Sequence, residues 1–123
     1  MTDLVLLVED ELLIALDLQG TIEDAGFRVE GPCTTLSEAQ EAIDRHGARF
    51  AAALLDVRLA DDTVFPAADR LHAAGVPLLF HSGHADDADL RRRYPLAMVC
   101  PKPSAPDTLS AALLRCVQMT RVG

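Results

Sequence analysis

Four short apolar runs of this 123-residue chain each lead into polar residues suited to phosphate chemistry. In chain order, the polar groups are Glu9-Asp10-Glu11, Asp56, Ser82-Gly83 and Pro101-Lys102-Pro103. If the apolar runs are parallel strands of one sheet, their carboxyl ends meet at one edge, where ligands gather in doubly wound α/β folds. The spacing therefore predicts one site built from four strand ends.

Three of these carboxylates, on Glu9, Asp10 and Asp56, would converge at that edge. Their mutual repulsion would raise their pKa values unless a cation neutralised them. Mg²⁺ typically takes one or two protein carboxylates and keeps several waters, so it fits this sparse acidic set better than Ca²⁺ does. Mn²⁺ accepts the same oxygen ligands. We assign Glu11 to the acidic first turn of a helix.

Lys102 is the only lysine of the chain and lies between two prolines. A flexible ammonium can pair with a carboxylate and then with a phosphoryl oxygen, where a planar guanidinium fits less well. Ser82 adds a hydroxyl that can donate to a phosphoryl oxygen, although a strand-end serine often bonds locally instead. Carboxylate, metal, cation and hydroxyl are the parts of a phosphoryl-transfer site. Pro103 also permits a cis Lys102–Pro103 bond, which the sequence leaves open.

Length and composition bound the fold and exclude several functions. A chain of 123 residues, 50% hydrophobic and 24% charged, suits one globular domain, so we predict a single domain over 1–123 without an output domain. Nineteen acidic against eleven basic residues give a net charge of -8, which disfavours nucleic acid and anionic membranes as partners. The chain has neither a basic leader nor a membrane-length apolar run, which predicts a cytoplasmic location.

Cysteine and histidine spacing indicates neither a disulfide framework nor a zinc site. Cys33, Cys100 and Cys116 are far apart and odd in number, so we predict reduced, mostly buried thiols. His81-x-x-His84 lacks nearby residues to complete a tetrahedral site, so we interpret both histidines as solvated or hydrogen-bonded. A further hypothesis places His84 beside the site, where it would make the lifetime of a bound phosphoryl group pH-dependent.

Five strand-length runs alternate with amphipathic segments. The predicted strands are Leu4–Val8, Arg28–Gly31, Ala51–Leu55, Val76–Phe80 and Ala97–Cys100. The first, third and fourth are apolar almost throughout, as in parallel strands covered on both faces, whereas Arg28-Val29-Glu30 alternates as at an edge. Right-handed crossovers then predict a doubly wound (βα)5 α/β fold of three layers, flavodoxin-like, with a five-stranded parallel sheet.

Helix boundaries follow from capping residues and periodicity. The stripe Ile14, Leu18, Ile22 and Ala25 predicts a first helix that Gly26 ends. The other boundary predictions are the N-cap pairs Thr35/Glu38 and Ser104/Asp107, the stops Gly47 and Gly75, Pro66 in a first turn, and a weak fourth helix near Ala88–Tyr94.

The order of the motifs extends over essentially the whole chain: acidic pair, strand ending in Asp, strand ending in Ser with a small residue, and Lys-Pro. In this order they resemble the receiver domain of two-component response regulators, the CheY-like family. The resemblance implies a phosphoryl group received from a sensor histidine kinase or a histidine phosphotransfer protein. The site residues that it implies are the phosphoacceptor Asp56, the Mg²⁺ ligands Asp10, Asp56 and the Arg58 carbonyl, Glu9 acting through water, and the phosphoryl-sensing Ser82 and Lys102.

Two segments, Thr63-Val64-Phe65-Pro66 and Phe80-His81-Ser82-Gly83-His84, are similar to a single-domain alphaproteobacterial variant of the family. The fourth strand of that variant ends in Phe-Ala-Thr-Gly-aromatic. In this chain His81 replaces the alanine, Ser82 the threonine and His84 the aromatic residue. Gly83 leaves room for a bulky phosphodonor. The usual switch aromatic, three residues before the lysine, is Val99, so the familiar Thr–Tyr coupling is not expected.

Three classes of function compete. The leading hypothesis is a stand-alone phosphoacceptor that catalyses only its own phosphorylation and dephosphorylation. It would either shuttle, store or drain phosphoryl groups or bind a downstream target protein in its phosphorylated form. A haloacid-dehalogenase-type hydrolase would use similar groups, but it needs a second Asp two positions after the nucleophile, where Arg58 stands, and metal-binding acids after the lysine. The alternative is an interaction module that works independently of phosphorylation, which the absence of an aromatic residue at Val99 favours.

The basic cluster Arg91-Arg92-Arg93 is a solvated face or a docking surface for an acidic partner.

Overall fold

The computed structural model of the protein describes residues 3–83 and 87–122. Its strands are β1 Leu4–Val8, β2 Arg28–Cys33, β3 Ala52–Asp56, β4 Leu78–Ser82 and β5 Met98–Pro101. Its α-helices are α1 Leu12–Asp24, α2 Leu36–His46, α3 Phe65–Ala73, α4 Asp87–Arg93 and α5 Pro106–Val122, and a short 3-10 helix, Gly47–Arg49, follows α2. All five predicted βα units are therefore present.

The five strands form one parallel sheet in the order β2-β1-β3-β4-β5, which confirms the doubly wound prediction. Helices α1 and α5 pack on one face of the sheet, and α2, α3 and α4 pack on the other. The strand β1 contributes Val5 and Leu7 to one core and Leu6 and Val8 to the other, and all four are completely buried. The alternating strand β2 is an edge strand, as predicted.

The predicted bounds of β4 are wrong by two residues. The backbone N–H of Val76 donates to the Leu71 carbonyl at 3.0 Å and so closes the end of α3 instead of starting the strand. Pro77 has no N–H to donate to a ladder. The strand runs from Leu78 to Ser82, so His81 and Ser82 are strand residues.

The two predicted N-cap pairs have different outcomes. The Thr35 hydroxyl accepts the Glu38 N–H at 3.1 Å, as predicted, but the Glu38 carboxylate accepts from the N–H and hydroxyl of Thr34. The prediction for Ser104 is wrong because α5 begins at Pro106, whose fixed φ suits a first turn. The Ser104 hydroxyl donates backwards to the Pro101 carbonyl.

The three cysteines are free and buried, as predicted. Burial raises the pKa of the thiols of Cys33 and Cys116 to about 11. Both thiols therefore stay protonated at neutral pH, which makes them poor nucleophiles. Within the described ranges, no helix combines the length and the apolar character needed to cross a bilayer.

Gly31 in β2 occupies a position that no side chain fits. Its φ is +117°, and a Cβ there would lie 2.5 Å from the Leu7 carbonyl oxygen and 2.7 Å from the Cys33 nitrogen. We expect Gly31→Ala to lower the free energy of unfolding by about 2 kcal/mol or more, measured by urea denaturation. The control is Gly20→Ala inside α1, where a Cβ meets nothing within 4 Å and should stabilise the helix. Equal stabilities of the two variants would contradict this account.

Candidate functional site

The ammonium group of Lys102 lies at the centre of the candidate site. Its Nζ is 2.9 Å from Asp56 Oδ1 and 3.3 Å from Glu9 Oε1. Asp56 ends β3, Glu9 follows β1 and Lys102 follows β5, so the carboxyl ends of three strands supply the three groups. The predicted convergence of these residues is confirmed.

Asp10 joins Glu9 and Asp56 in a cluster of carboxylates. One oxygen of each side chain lies within 4.8 Å of the others, close enough to share one cation. Glu9 Oε1 is buried and accepts no hydrogen bond from the described part of the chain, although the Lys102 ammonium is nearby. An all-oxygen set with such an acceptor fits Mg²⁺ or Mn²⁺. Asp10 and Asp56 would hold the ion directly and Glu9 through water, and the ion would offset the crowded negative charge.

Burial dominates the electrostatics of Glu9, whose side chain is completely inaccessible. Desolvation, reinforced by the negative charge of Asp56, raises the pKa of Glu9 to about 7 despite the hydrogen bond from the Glu11 N–H. Burial alone would lower the pKa of Lys102. Its hydrogen bond to Asp56 and the charges of Asp56 and Glu9 outweigh burial and raise that pKa, so the lysine stays charged.

Ser82 ends β4 at the same edge of the sheet and is buried. Its hydroxyl donates to the Gly83 carbonyl at 2.9 Å, which is the local bonding noted as the alternative for a strand-end serine. The Ser82 carbonyl accepts the Lys102 N–H at 2.8 Å. A backbone hydrogen bond thus links Ser82 to Lys102. The Ser82 hydroxyl must break its hydrogen bond to the Gly83 carbonyl before it can donate to another acceptor.

His81 is neither solvated nor hydrogen-bonded, which corrects the sequence-based interpretation. Its imidazole is 5% exposed, and neither ring nitrogen has a hydrogen-bond partner among the described residues. The reason is its place on β4, between Asp56 of β3 and Cys100 of β5 in the sheet register. Burial and then the charge of Lys102 lower the pKa of His81, so the ring is neutral.

The remaining predicted residues lie around this centre. Arg58 is exposed and its backbone bridges to Thr63, and the role of its carbonyl stays a prediction. Gly83 and Pro103 are exposed, and the Lys102–Pro103 bond is cis. His84 lies outside the described residues, so its place beside the site stays a prediction.

The basic cluster Arg91-Arg92-Arg93 is exposed on α4, as a solvated face would be. Arg92 and Arg93 form ion pairs with Asp89 on the same helix. The Arg93 guanidinium also lies 4.1 Å from the centre of the Phe65 ring. Partners within the protein therefore already engage two of the three arginines.

Sequence reasoning missed the packing of Tyr94 against β4. Its ring lies 5.3 Å from that of Phe80, two residues before Ser82, and its hydroxyl donates to Asp69 at 2.6 Å. Val99 pairs with Phe80 on the neighbouring strand. An aromatic ring therefore contacts this stretch of β4 from the end of α4 instead of from β5. That Tyr94 is the only tyrosine of the chain was the one available clue.

Comparisons with known proteins agree with this fold. No protein-family model matches the chain. The regulator PhyR of Methylorubrum extorquens is 32% identical over 111 residues, which are 89% of this chain and 41% of that protein. The solution structure of the receiver domain of the response regulator PhyR from Erythrobacter litoralis is 25% identical, with a TM-score of 0.82 over 95% of this chain and 91% of that one. An anti-anti-sigma factor PhyR variant from Bartonella quintana is 25% identical, with a TM-score of 0.83 over all of this chain and 51% of that one.

In fold and sequence, the chain therefore resembles the receiver domains of response regulators. Among the proteins compared, it is similar to PhyR, and it spans less than half the length of the curated PhyR that it matches. The likeness of Phe80–His84 to the alphaproteobacterial single-domain motif stays a prediction.

The raised pKa of Glu9 predicts a pH-dependent stability of the metal-free protein. Folding raises the pKa of Glu9 from 4.5 to about 7, so protonated Glu9 contributes to the free energy of unfolding. This contribution is complete below pH 4.5 and is lost as the pH rises through 7. We expect Glu9→Gln, which cannot ionise, to match the native chain near pH 5 and to exceed its melting temperature at pH 8. Thermal melts in a chelator measure this difference.

The matched control is Glu11→Gln, which removes an exposed carboxylate two residues away. Its melting temperature should follow that of the native chain across the whole range. Parallel pH curves for Glu9→Gln and the native chain would contradict the assigned shift.

Proposed function

We propose that the chain is the phosphoacceptor of a two-component signalling pathway and receives a phosphoryl group on Asp56 from a protein phosphohistidine. The carrying observation is the Lys102 ammonium, 2.9 Å from Asp56 Oδ1, within a cluster of carboxylates that fits Mg²⁺. The likeness to PhyR and its receiver domain supports the same function. The domain would act in the cytoplasm and turn over no separate substrate.

The chemistry divides between the residues of the site. A carboxylate oxygen of Asp56 attacks the phosphorus, the phosphorus–nitrogen bond of the donor breaks, and its electron pair returns to the imidazole. Lys102 already faces that oxygen and can pair with a phosphoryl oxygen as charge moves away from the carboxylate. Ser82 would donate to another phosphoryl oxygen after leaving the Gly83 carbonyl. Attack by water on the phosphorus later releases inorganic phosphate and restores Asp56.

The downstream partner is proposed to be another protein. The Bartonella PhyR is named an anti-anti-sigma factor. A domain of net charge -8 does not favour a nucleic-acid target. We therefore propose that phosphorylation of Asp56 changes the affinity of this domain for a target protein.

Phosphorylation of Asp56 is testable with a small phosphodonor. Incubation with acetyl phosphate and Mg²⁺ should add one labile phosphoryl group to the native chain and none to Asp56→Asn, as read by intact-mass spectrometry. Chelation of Mg²⁺ should abolish the gain. The control is Asp62→Asn, an exposed carboxylate in the following loop, which should be phosphorylated like the native chain.

A phosphoryl group that persists in Asp56→Asn would refute the assignment of the acceptor. If the folded native chain gains no phosphoryl group even from phosphohistidine donors, the alternative gains ground. The domain would then be an interaction module that binds its target without phosphorylation.

An apolar surface on α1 is proposed to receive the phosphodonor protein. Leu12, Leu13 and Leu16 are 63%, 79% and 51% exposed on the first two turns of the helix that follows Glu9-Asp10-Glu11. Three exposed leucines on the helix that directly follows the acidic residues are costly in water unless a partner covers them. A donor protein seated there would bring its phosphohistidine to Asp56.

We expect Leu13→Glu to slow phosphotransfer from a phosphohistidine protein at least about tenfold, because a buried charge weakens docking. Phosphorylation by acetyl phosphate, which needs no docking surface, should be unchanged. The matched control is Leu96→Glu. Leu96 is about as exposed as Leu13 but precedes β5, at the amino ends of the strands and away from the site. Equal slowing in both variants, or with acetyl phosphate, would refute the docking surface.

A further inference from the structure

The loop between β3 and α3, residues 57–64, folds back on itself directly after Asp56. Arg58 bridges to Thr63, the Leu59 N–H donates to the Asp62 carbonyl at 2.9 Å, and the Val64 N–H donates to the Val57 carbonyl at 2.8 Å. These bonds close the loop into a small hairpin. Asp61 lies at its tip.

The base and the tip of this hairpin are held differently. Val57, Leu59 and Val64 are buried in the core shared by α2, α3 and α4. Residues 60–62 at the tip are exposed, so packing does not hold them. The position of the tip, and the tilt of the hairpin above its base, therefore depend on polar contacts.

The carboxylate of Asp61 makes such a contact across 25 residues of sequence. Its Oδ1 accepts the Leu36 N–H at 2.8 Å, and its Oδ2 lies 3.4 Å from the Ser37 nitrogen, which donates to it. These are the first two residues of α2, whose amides have no partner within their own helix. The hydrogen bond from Leu36 lowers the pKa of Asp61, so the contact stays ionised at neutral pH.

We propose that Asp61 is a positioning residue that fastens the β3–α3 hairpin, and with it the Arg58 carbonyl, to the amino end of α2. This inference rests on the proposed function, in which that carbonyl is a metal ligand beside Asp56. Arg58 bridges to Thr63 next to the Leu59–Asp62 hydrogen bond that closes the tip, so a displacement of the tip is transmitted to the Arg58 backbone. The affinity of the site for a divalent cation then depends on a helix that contributes no ligand.

The chain provides a matched control for this contact. Thr35 also caps α2, through its hydroxyl and the Glu38 N–H at 3.1 Å, but it does not belong to the hairpin. Thr35→Ala therefore weakens the same helix end while leaving the tie to the hairpin in place. Asp61→Asn removes the charge of Asp61 but keeps a carbonyl oxygen that can accept the Leu36 N–H.

The experiment measures Mg²⁺ binding by calorimetry and amide hydrogen exchange of Leu59 and Val64 in the metal-free protein. In Asp61→Ala we expect roughly tenfold weaker Mg²⁺ binding, as for loss of a contact that orients metal ligands, and faster exchange of both amides. Thr35→Ala should lower the melting temperature but leave the Mg²⁺ affinity and the hairpin amides unchanged. Asp61→Asn should bind Mg²⁺ within about twofold of the native chain, well inside the loss expected for Asp61→Ala.

Unchanged exchange and unchanged Mg²⁺ affinity in Asp61→Ala would overturn the proposal. An equal loss of Mg²⁺ affinity in Asp61→Asn would overturn the proposal, because the negative charge of Asp61 would then explain the effect. An equal loss in Thr35→Ala would overturn it as well, because the stability of α2 would then explain the effect. A native chain that binds no Mg²⁺ would refute the proposed function itself. In that case, faster exchange of the Leu59 and Val64 amides in Asp61→Ala, but not in the other variants, would still support the contact between the hairpin and α2.

Discussion

The ion-pair cluster of Lys102 with Asp56 and Glu9 is the interaction on which the rest of the site depends. Two carboxylates this close and this buried repel each other and lose hydration, and the lysine offsets both effects. The balance is incomplete, since Asp10 adds a third carboxylate to a cluster that contains one lysine. The site thus retains unneutralised negative potential, which is the condition under which a divalent cation binds from water.

The sheet supplies the constraint that makes this cluster possible. The strands β1 and β3 are covered by helices on both faces, so their hydrogen-bond register is fixed by packing along their whole length. Their last residues therefore have little freedom, and Glu9 and Asp56 cannot move apart to relieve repulsion. The backbone bond from Lys102 to the Ser82 carbonyl extends the same constraint to β4 and β5. The fold thus holds like charges close together, which favours the binding of a cation.

Sequence reasoning succeeded where the information is local. Continuous apolar runs located the buried strands, and a polar residue directly after each run located the carboxylates and the lysine, because parallel strands share one carboxyl edge. It failed where a contact spans the fold. Nothing around Asp61 indicates that its carboxylate caps a helix 25 residues earlier, and nothing around His81 indicates that both of its flanking strands bury it. The N-cap prediction for Ser104 failed for a third reason, because Pro106, two residues later, sets the start of α5.

The cost of this arrangement is concentrated at one end of the molecule. Within the described ranges, both ring nitrogens of His81 are buried without hydrogen-bond partners, and His81 pairs with Asp56 in the sheet register. Each such group destabilises a fold by about 1–3 kcal/mol relative to a satisfied one. An apolar residue in place of His81 would remove that penalty, so stability alone does not explain the histidine. Unsatisfied polar groups beside a charged pocket are instead expected where a protein retains acceptors and donors for a ligand that completes the network.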